Sequence, residues 1–401
     1  MIQSLKHSWR REVTQRSSTF SEWWLIAVLT VKLFSDRRLE RVRFADTNIS
    51  HLYKCDVRFR FRTEIHYAYG VGFSVREALL KALAEAVERL MSYDANEQNQ
   101  IDLEVLQPEM EFAGRIYASI RSVVAKDLKG VTQVNILAQC IRRWNKKVDG
   151  VGSHVFPYTT NGLAAHTSTI DAVRNALCEV IERDAFLCFW YARIAPEQVN
   201  MVAVPQQVTY LLDTFKKMSI EVTVLHLRHE SGIPVIAAIG SVKKNGAIRR
   251  VLALGCSESL DDAIVRALCE LCIVKSHLYA ETAIGSERLE AITAFERARL
   301  WRGAYLAELD YFISGAIVEY TALAQQYAVN KDVLDFAGEA YVYTYKNTIS
   351  IPLTVVKVIV PSYFPFFLNE RYKHFGKERL SRFCESHGVP FVMSEIPHVL
   401  P

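Results

Sequence analysis

What the 401-residue chain lacks narrows its reading first. No G-x-x-x-x-G-K-[S/T] loop occurs, and Gly376-Lys377 has no glycine at the required distance upstream. Any phosphate site must therefore be built without that backbone cradle. The 11 histidines include no H-x-x-x-H pair and no nucleophile-triad arrangement, which leaves only His398 and His166 as histidines with a functional reading. Of the eight cysteines, Cys269 and Cys272 form a lone C-x-x-C with no second pair at zinc spacing, and Cys178, Cys269 and Cys272 fall at apolar helix positions. A zinc or disulfide framework is excluded, and a reducing cytoplasm is the expected compartment. Trp23 to Val31 is apolar after basic residues but too short to span a bilayer, has no small-residue cleavage site and meets Lys32 at once, so it reads as a buried element. No linker rich in Pro, Gly or Ser interrupts the chain, and the net charge of +4 is too small for a nucleic-acid surface. Neither membrane nor nucleic acid is expected as a partner.

What is present is a register used three times. Ser74 is followed eight residues on by Ala82-Leu83-Ala84-Glu85, Ser168 by Ala176-Leu177-Cys178-Glu179, and Ser259 by Ala267-Leu268-Cys269-Glu270. Each serine has an acid three positions later (Glu77, Asp171, Asp262), the pattern of a helix N-cap. Apolar residues recur at helical spacing behind each cap, and strand-like stretches precede them, which predicts an α+β fold of repeated strand-loop-helix units. Glu85 and Glu88 lie on one side of the first helix, and Glu179 and Glu182 on one side of the second. Arg89 and Arg183 follow these pairs directly, and Arg266 sits one turn before Glu270. Paired carboxylates suit a hard divalent cation and neighbouring guanidiniums suit phosphate, which reads as a nucleotide site. A solvated face with ion pairs within the helix is the competing reading of any one Glu-x-x-Glu-Arg.

These residues resemble the YcaO family, ATP-dependent enzymes that activate peptide-backbone amides. The resemblance runs through Gly70-Val71-Gly72-Phe73-Ser74 into Glu85-Ala86-Val87-Glu88-Arg89. It continues from Thr160-Asn161-Gly162-Leu163-Ala164-Ala165 through Glu179-Val180-Ile181-Glu182-Arg183 to Trp190 and Arg193-Ile194-Ala195-Pro196. Gly232-Ile233-Pro234-Val235 and the helix of Arg266 and Glu270 extend it, so that it covers roughly residues 65 to 401. It implies a YcaO-like fold around one nucleotide site. Carried over by position, Glu85, Glu88, Glu179, Glu182 and Glu270 are implied Mg2+ ligands, and Arg89, Arg183 and Arg266 implied ATP-phosphate contacts. Asp171 reads as cap before outer metal ligand. The end, Ile396-Pro397-His398-Val399-Leu400-Pro401, resembles the proline-bearing tail of azoline-forming members, with Val399 at the middle proline. In that reading Pro397, His398 and Pro401 belong to the catalytic machinery, and the terminal carboxylate helps place the substrate amide.

The implied reaction is cyclodehydration. A Cys, Ser or Thr side chain of a ribosomally made precursor peptide attacks the preceding carbonyl, ATP phosphorylates the resulting oxygen, and loss of phosphate leaves a thiazoline or oxazoline. The implied setting is a thiazole/oxazole-modified microcin-type synthetase, with a separate leader-recognition partner, a flavin dehydrogenase where rings are oxidised, and assembly as a complex or homo-oligomer. Three departures stand against this: Val71 replaces a lysine, His166 a glycine and Ile273 a glutamine. Backbone thioamidation, a non-catalytic YcaO-like scaffold and a di-iron bundle are the rival readings, the last disfavoured by the strand-like stretches and the absence of Glu-x-x-His. The organisation expected is a divergent basic segment, residues 1–62, before a catalytic domain, residues 63–401, that carries the tail 395–401. Within it, Ser92 to Gln107 reads as a surface excursion.

Overall fold

The computed structural model describes residues 22–47, 51–94, 104–141, 159–275, 306–368 and 370–400, a few positions inside these ranges apart. The fold is α+β. Its first sheet is antiparallel in the order β1 (Leu39–Asp46), β2 (Tyr53–Phe61), β3 (Glu64–Gly72). Helix α1 (residues 22–33) buries Leu25, Ile26, Leu29 and Leu33 and turns Trp23 and Trp24 outward. Along β2 the alternation of the sequence is realised: Val57 and Phe59 are buried, while Arg58 and Arg60 both bind Glu40 on the other face, at 2.8 and 2.6 Å. Since β2 pairs with β3 from Tyr53↔Gly72 to Phe61↔Glu64, the expected boundary after residue 62 falls inside a hairpin. Strands Leu39–Asp46 and Tyr53–Phe61 therefore lie in one sheet with Glu64–Gly72. The excursion expected over Ser92–Gln107 is also shorter, because α2 (Val75–Asp94) runs to its end at Asp94 and β4 (Glu104–Phe112) begins before Gln107. Asn96 to Gln100 lie outside the described residues.

The second sheet has the order β4, β5 (Arg115–Asp127), β13 (Tyr341–Thr344), β14 (Thr354–Ile359), β7 (Leu163–His166), with β6 (Gln133–Leu137) also on β5. The third has the order β11 (Ala247–Cys256), β10 (Val235–Lys244), β9 (Glu221–His226), β8 (Glu197–Asn200), β12 (Ile317–Glu319). Strands β3, β7 and β11 each end their sheet, and each leads through its serine into a helix: α2, α3 (Thr169–Ala192) and α4 (Leu260–Val274). The hydroxyls of Ser74, Ser168 and Ser259 accept from the N–H three residues on, at 3.1, 3.4 and 3.5 Å. Only the first cap is closed by its acid, Glu77 accepting from the Phe73 N–H at 2.8 Å. Asp171 turns to Arg174 and His166, at 3.6 and 3.5 Å, and His166 Nδ1 takes the Ser168 N–H in its place.

The repeat also reaches into the packing. Four residues before each serine stands a small residue, Gly70, Ala164 or Gly255; eight and twelve residues beyond that stand buried alanines, Ala78 and Ala82, Ala172 and Ala176, Ala263 and Ala267. A Cβ on Gly70 would lie 2.6 Å from Ala82 N, and one on Gly255 would overlap Ala263 O, so strand and helix backbones approach as closely as side chains allow. The helices then interlock in a cycle: α2 packs on β7 as well as β3, α3 on β11 as well as β7, and α4 on β3 as well as β11.

A buried charge pins the second helix to the C-terminal region. Asp184 is fully buried on α3 and accepts from Arg379 Nη2 at 2.7 Å, His229 Nε2 at 2.9 Å and the Phe364 N–H at 2.6 Å. Burial pushes its carboxyl up, but His229 and Arg379 together hold it below the usual carboxylate range. Arg379 lies on α5 (Lys377–Ser386), so this contact sets both the rotation of α3 and the start of the tail. Gly70→Ala and Gly255→Ala are each expected to cost about 1–3 kcal/mol by overpacking, read as a lower urea midpoint at unchanged slope.

Candidate functional site

The cyclic packing gathers the acids that the sequence distributes over three helices. Glu85 and Glu88 come from α2, Glu179 and Glu182 from α3, and Glu270 from α4. Burial raises the carboxyl of Glu88 well above its ordinary value, and the neighbouring charges of Glu85 and Glu179 raise it further. Burial likewise raises Glu179, with Glu85 adding to the shift while Arg183 opposes it. Glu182 is pushed up to about 7 by burial, with Glu179 and Glu270 contributing against Arg183 and Arg266. Glu270 is raised by burial and then by Glu85, with Glu179 adding to the shift against Arg183 and Lys54, while its side chain still reaches solvent. Glu88, Glu179, Glu182 and Glu270 thus each feel at least one acid carried by another helix.

Several carboxylates are steered by neighbouring backbone. Glu88 Oε1 accepts from the Ala165 N–H of β7 at 2.7 Å, and Glu179 Oε2 from the Gly162 N–H at 2.9 Å. Glu85 Oε2 accepts from the Tyr69 N–H of β3 at 2.6 Å, and its other oxygen meets Arg89. Gly162 has a φ of +75°, and a Cβ there would lie 2.8 Å from Val180 Cγ2, so this turn is shaped to bring its N–H to α3. Among the described residues no three His, Cys, Asp or Glu side chains close on a common point, so the acids ring the cleft. Mutual repulsion and these separate backbone anchors account for the spread.

The three arginines are placed differently. Arg89 donates to Tyr67 O and to Glu85, which covers the outer edge of β3 and commits both terminal nitrogens. Arg266 Nη1 donates to Cys256 O at 3.1 Å from an exposed position at the cleft. Arg183 lies with its guanidinium carbon 5.0 Å from the Phe366 ring centroid, and its buried Nε has no hydrogen-bond partner among the described residues.

Sequence reasoning assigned no role to Asn161 or Lys357. Lys357 is buried on β14 and its ammonium clamps Thr159 O at 2.6 Å and Asn161 O. Burial lowers its pKa to about 8, with Glu179 acting the other way. Asn161 Oδ1 is buried without a hydrogen-bond partner among the described residues. Asn161 stands beside Gly162 in a turn between helix-steering contacts; Lys357 has no local signal, because its partners lie almost two hundred residues earlier.

The tail is packed against the end of α3. Trp190 Nε1 donates to Ile396 O at 3.2 Å, the Ser394 N–H to Tyr191 O at 2.9 Å, and the His398 N–H to Tyr191 Oη at 3.3 Å. His398 Nε2 donates to Phe367 O at 2.7 Å, and its ring lies 5.2 Å from that of Phe366. Phe366 thus contacts both His398 and Arg183, which links the tail to the part of α3 that carries Glu182. Pro397, Val399 and Leu400 are buried, and Pro401 lies outside the described residues.

A hard divalent cation with a polyphosphate fits this donor set. The carboxylates are oxygen donors of the kind such a cation takes and the guanidiniums are donors of the kind phosphate takes, and among the described residues Asn161 Oδ1 and Arg183 Nε are buried without a hydrogen-bond partner.

Residues 119–363 match the family model described as YcaO cyclodehydratase, ATP- and Mg2+-binding. An uncharacterised protein of Methanothermobacter thermautotrophicus is 27% identical over 215 residues, which span 50% of this chain and 55% of that protein, about half its length. Among solved structures, YcaO from Methanopyrus kandleri bound with AMPPCP and Mg2+ superposes with a TM-score of 0.65 at 18% identity, over 88% of this chain and 93% of that one. A heterocyclase in complex with substrate and cofactor gives 0.70 at 17% identity, over 90% and 55%. The Escherichia coli microcin synthetase McbBCD complex gives 0.57 at 16%, over 80% and 88%. At these identities the likenesses are of fold.

The Glu182 carboxyl carries a testable sign. Its pKa rises from the ordinary 4.5 to about 7 on folding, so its charge costs stability fully above pH 7, and the cost fades as the pH falls toward 4.5. Glu182→Gln is expected to stabilise the metal-free protein more at pH 8 than at pH 5, by on the order of 2 kcal/mol. Paired thermal melts at the two pH values check this, and an equal shift at both would place Glu182 outside the acid cluster.

Proposed function

The chain belongs to the YcaO family, and from that premise we propose that it is an ATP- and Mg2+-dependent cyclodehydratase acting on the backbone of a ribosomally made precursor peptide. The observation that carries this reading is the convergence of acids from three separate helices into one cleft together with arginines. A solvated helix face gives no reason for Glu85, Glu179 and Glu270, on three different helices, to act on one another.

Glu85, Glu88, Glu179, Glu182 and Glu270 would hold Mg2+, which supplies charge neutralisation for the phosphate oxygens. Arg183 and Arg266 stand at the cleft to bind the triphosphate, and Arg89 fixes Glu85 while it seals the β3 edge. The substrate's Cys, Ser or Thr side chain loses its proton and attacks the preceding carbonyl carbon, and the hemiorthoamide oxygen so formed, still bonded to that carbon, takes the terminal phosphoryl group of ATP as ADP leaves. Loss of phosphate then leaves a C=N bond and a thiazoline or oxazoline, with ADP and phosphate as co-products. No nucleophile of the enzyme is consumed, so catalysis rests on position and charge.

The tail takes the role of substrate placement. Its route past Tyr191 and Phe366 brings His398 to within two ring contacts of Arg183. The Nε2 proton of His398 is committed to Phe367 O, so His398 anchors the tail. A leader-recognition protein is the expected partner, with a flavin dehydrogenase where the rings are oxidised to azoles.

Glu182→Gln and Arg183→Ala are each expected to abolish ATP turnover with the fold intact; full turnover in either variant removes the site assignment. Product mass separates the chemistries: loss of one water per ring marks cyclodehydration, while exchange of oxygen for sulfur marks thioamidation. Deletion of Val399 to Pro401 is expected to keep Mg·ATP binding and to stop ring formation, with a melting curve to measure the packing lost with Val399 and Leu400.

A further inference from the structure

The cleft has a cation that none of the helices supplies. Strand β2 pairs with β3 in a register that sets Lys54 directly opposite Val71. Directly opposed residues of an antiparallel pair project to the same face, so Lys54 and Val71 lie side by side on the face of the first sheet that α4 covers. Val71 is buried between Gly70 and Gly72 and brings no charge there.

The Lys54 side chain is only 17% exposed, and Asp56 Oδ1 lies 3.6 Å from its ammonium, beyond hydrogen-bond length. The Tyr69 ring centroid is 5.2 Å away. Among the described residues the ammonium makes no hydrogen bond, so three donors are held near the cleft without an acceptor. Its charge acts on Glu270, the single cleft acid of α4, opposing the rise that burial and Glu85 impose. Glu270 itself has no hydrogen bond or ion pair among the described residues. A half-buried ammonium paired only at 3.6 Å with Asp56, acting on a carboxylate that makes no hydrogen bond among the described residues, is an arrangement that can take an anion and its counter-cation together.

We propose that Lys54 is a binding residue of this cleft, whose ammonium takes a phosphate oxygen of the bound nucleotide on the α4 side, from a position one strand away from Val71. The inference rests on the nucleotide reading above and assigns it a residue outside the three helices.

Calorimetric titration of the full chain with Mg·AMPPCP tests it. Lys54→Met is expected to weaken binding at least about tenfold, the loss of one charge-assisted hydrogen bond. Lys54→Arg, which keeps the charge, is expected to bind within a few-fold of the unsubstituted protein. In the double variant Lys54→Met with Val71→Lys, the charge is returned across the strand pair and most of the lost affinity is expected back. Melting curves without nucleotide monitor the fold throughout. Affinity unchanged in Lys54→Met, or a melting shift with no change in affinity, overturns the proposal while the nucleotide site stands. Absence of any Mg·AMPPCP affinity in the unsubstituted protein overturns the nucleotide reading and this inference with it.

Discussion

Like charges brought into one walled cleft repel, and the fold is arranged around resisting that repulsion. Carboxylates on a single helix could relax by turning to water. Here the acids sit on three helices whose positions are set by backbone contact, so relaxation is blocked. The small residues at matched offsets are what fix those positions. Gly70 against Ala78 and Ala82, and Gly255 against Ala263 and Ala267, let each helix lie directly on the strand that precedes it. The third unit has Ala164, Ala172 and Ala176 at the same offsets and tolerates the one extra methyl. Each helix then covers the next unit's strand, and a displacement of one is opposed by the other two.

The second constraint is the buried Asp184. It follows Arg183 immediately, so its side chain leaves α3 about a quarter-turn away from the cleft arginine. Its acceptance of Arg379, His229 and the Phe364 N–H therefore sets the azimuth of the helix that carries Glu179 and Glu182. A buried charge left without its partners costs several kcal/mol, which makes that azimuth unique. The same contact holds the segment from Phe364 to α5, from which the tail departs. Cleft geometry and tail placement are thus settled by one ion pair.

The sequence carried what is local. Serine caps, alanine-leucine faces, the Glu-x-x-Glu-Arg spacing and the alternation of Val57 and Phe59 each depend on neighbours within one element, and each is found in the fold. What it did not carry depends on chain segments far apart. The pairing of β2 with β3 shows only once the hairpin is built, so a basic strand read as the end of a divergent segment proves to be part of the first sheet. Lys357 reaches Thr159 and Asn161 across nearly two hundred residues, and Glu88 meets Ala165 across 77. Arg89 adds a contact that its place after Glu88 does not announce, since it donates to Tyr67 O at a sheet edge as well as to Glu85. An unpaired edge strand is a demand for partners that no local pattern announces.

The departures from the family pattern acquire a physical reading in the same way. Val71 and Ile273 both lie on the side of the cleft bounded by β3 and α4, and both pack against the core. That side therefore keeps one acid, Glu270, where the other two helices keep two each. Two cations stand near that side, Lys54 from β2, which acts on Glu270, and Arg266 from α4, which acts on Glu182. Apolar residues at Val71 and Ile273 fill space that a buried lysine or glutamine could occupy only with partners of its own. The asymmetry among the three units is thus one of charge: one acid lies beside two cations on the β3–α4 side, and the other two helices each carry two acids followed by one arginine.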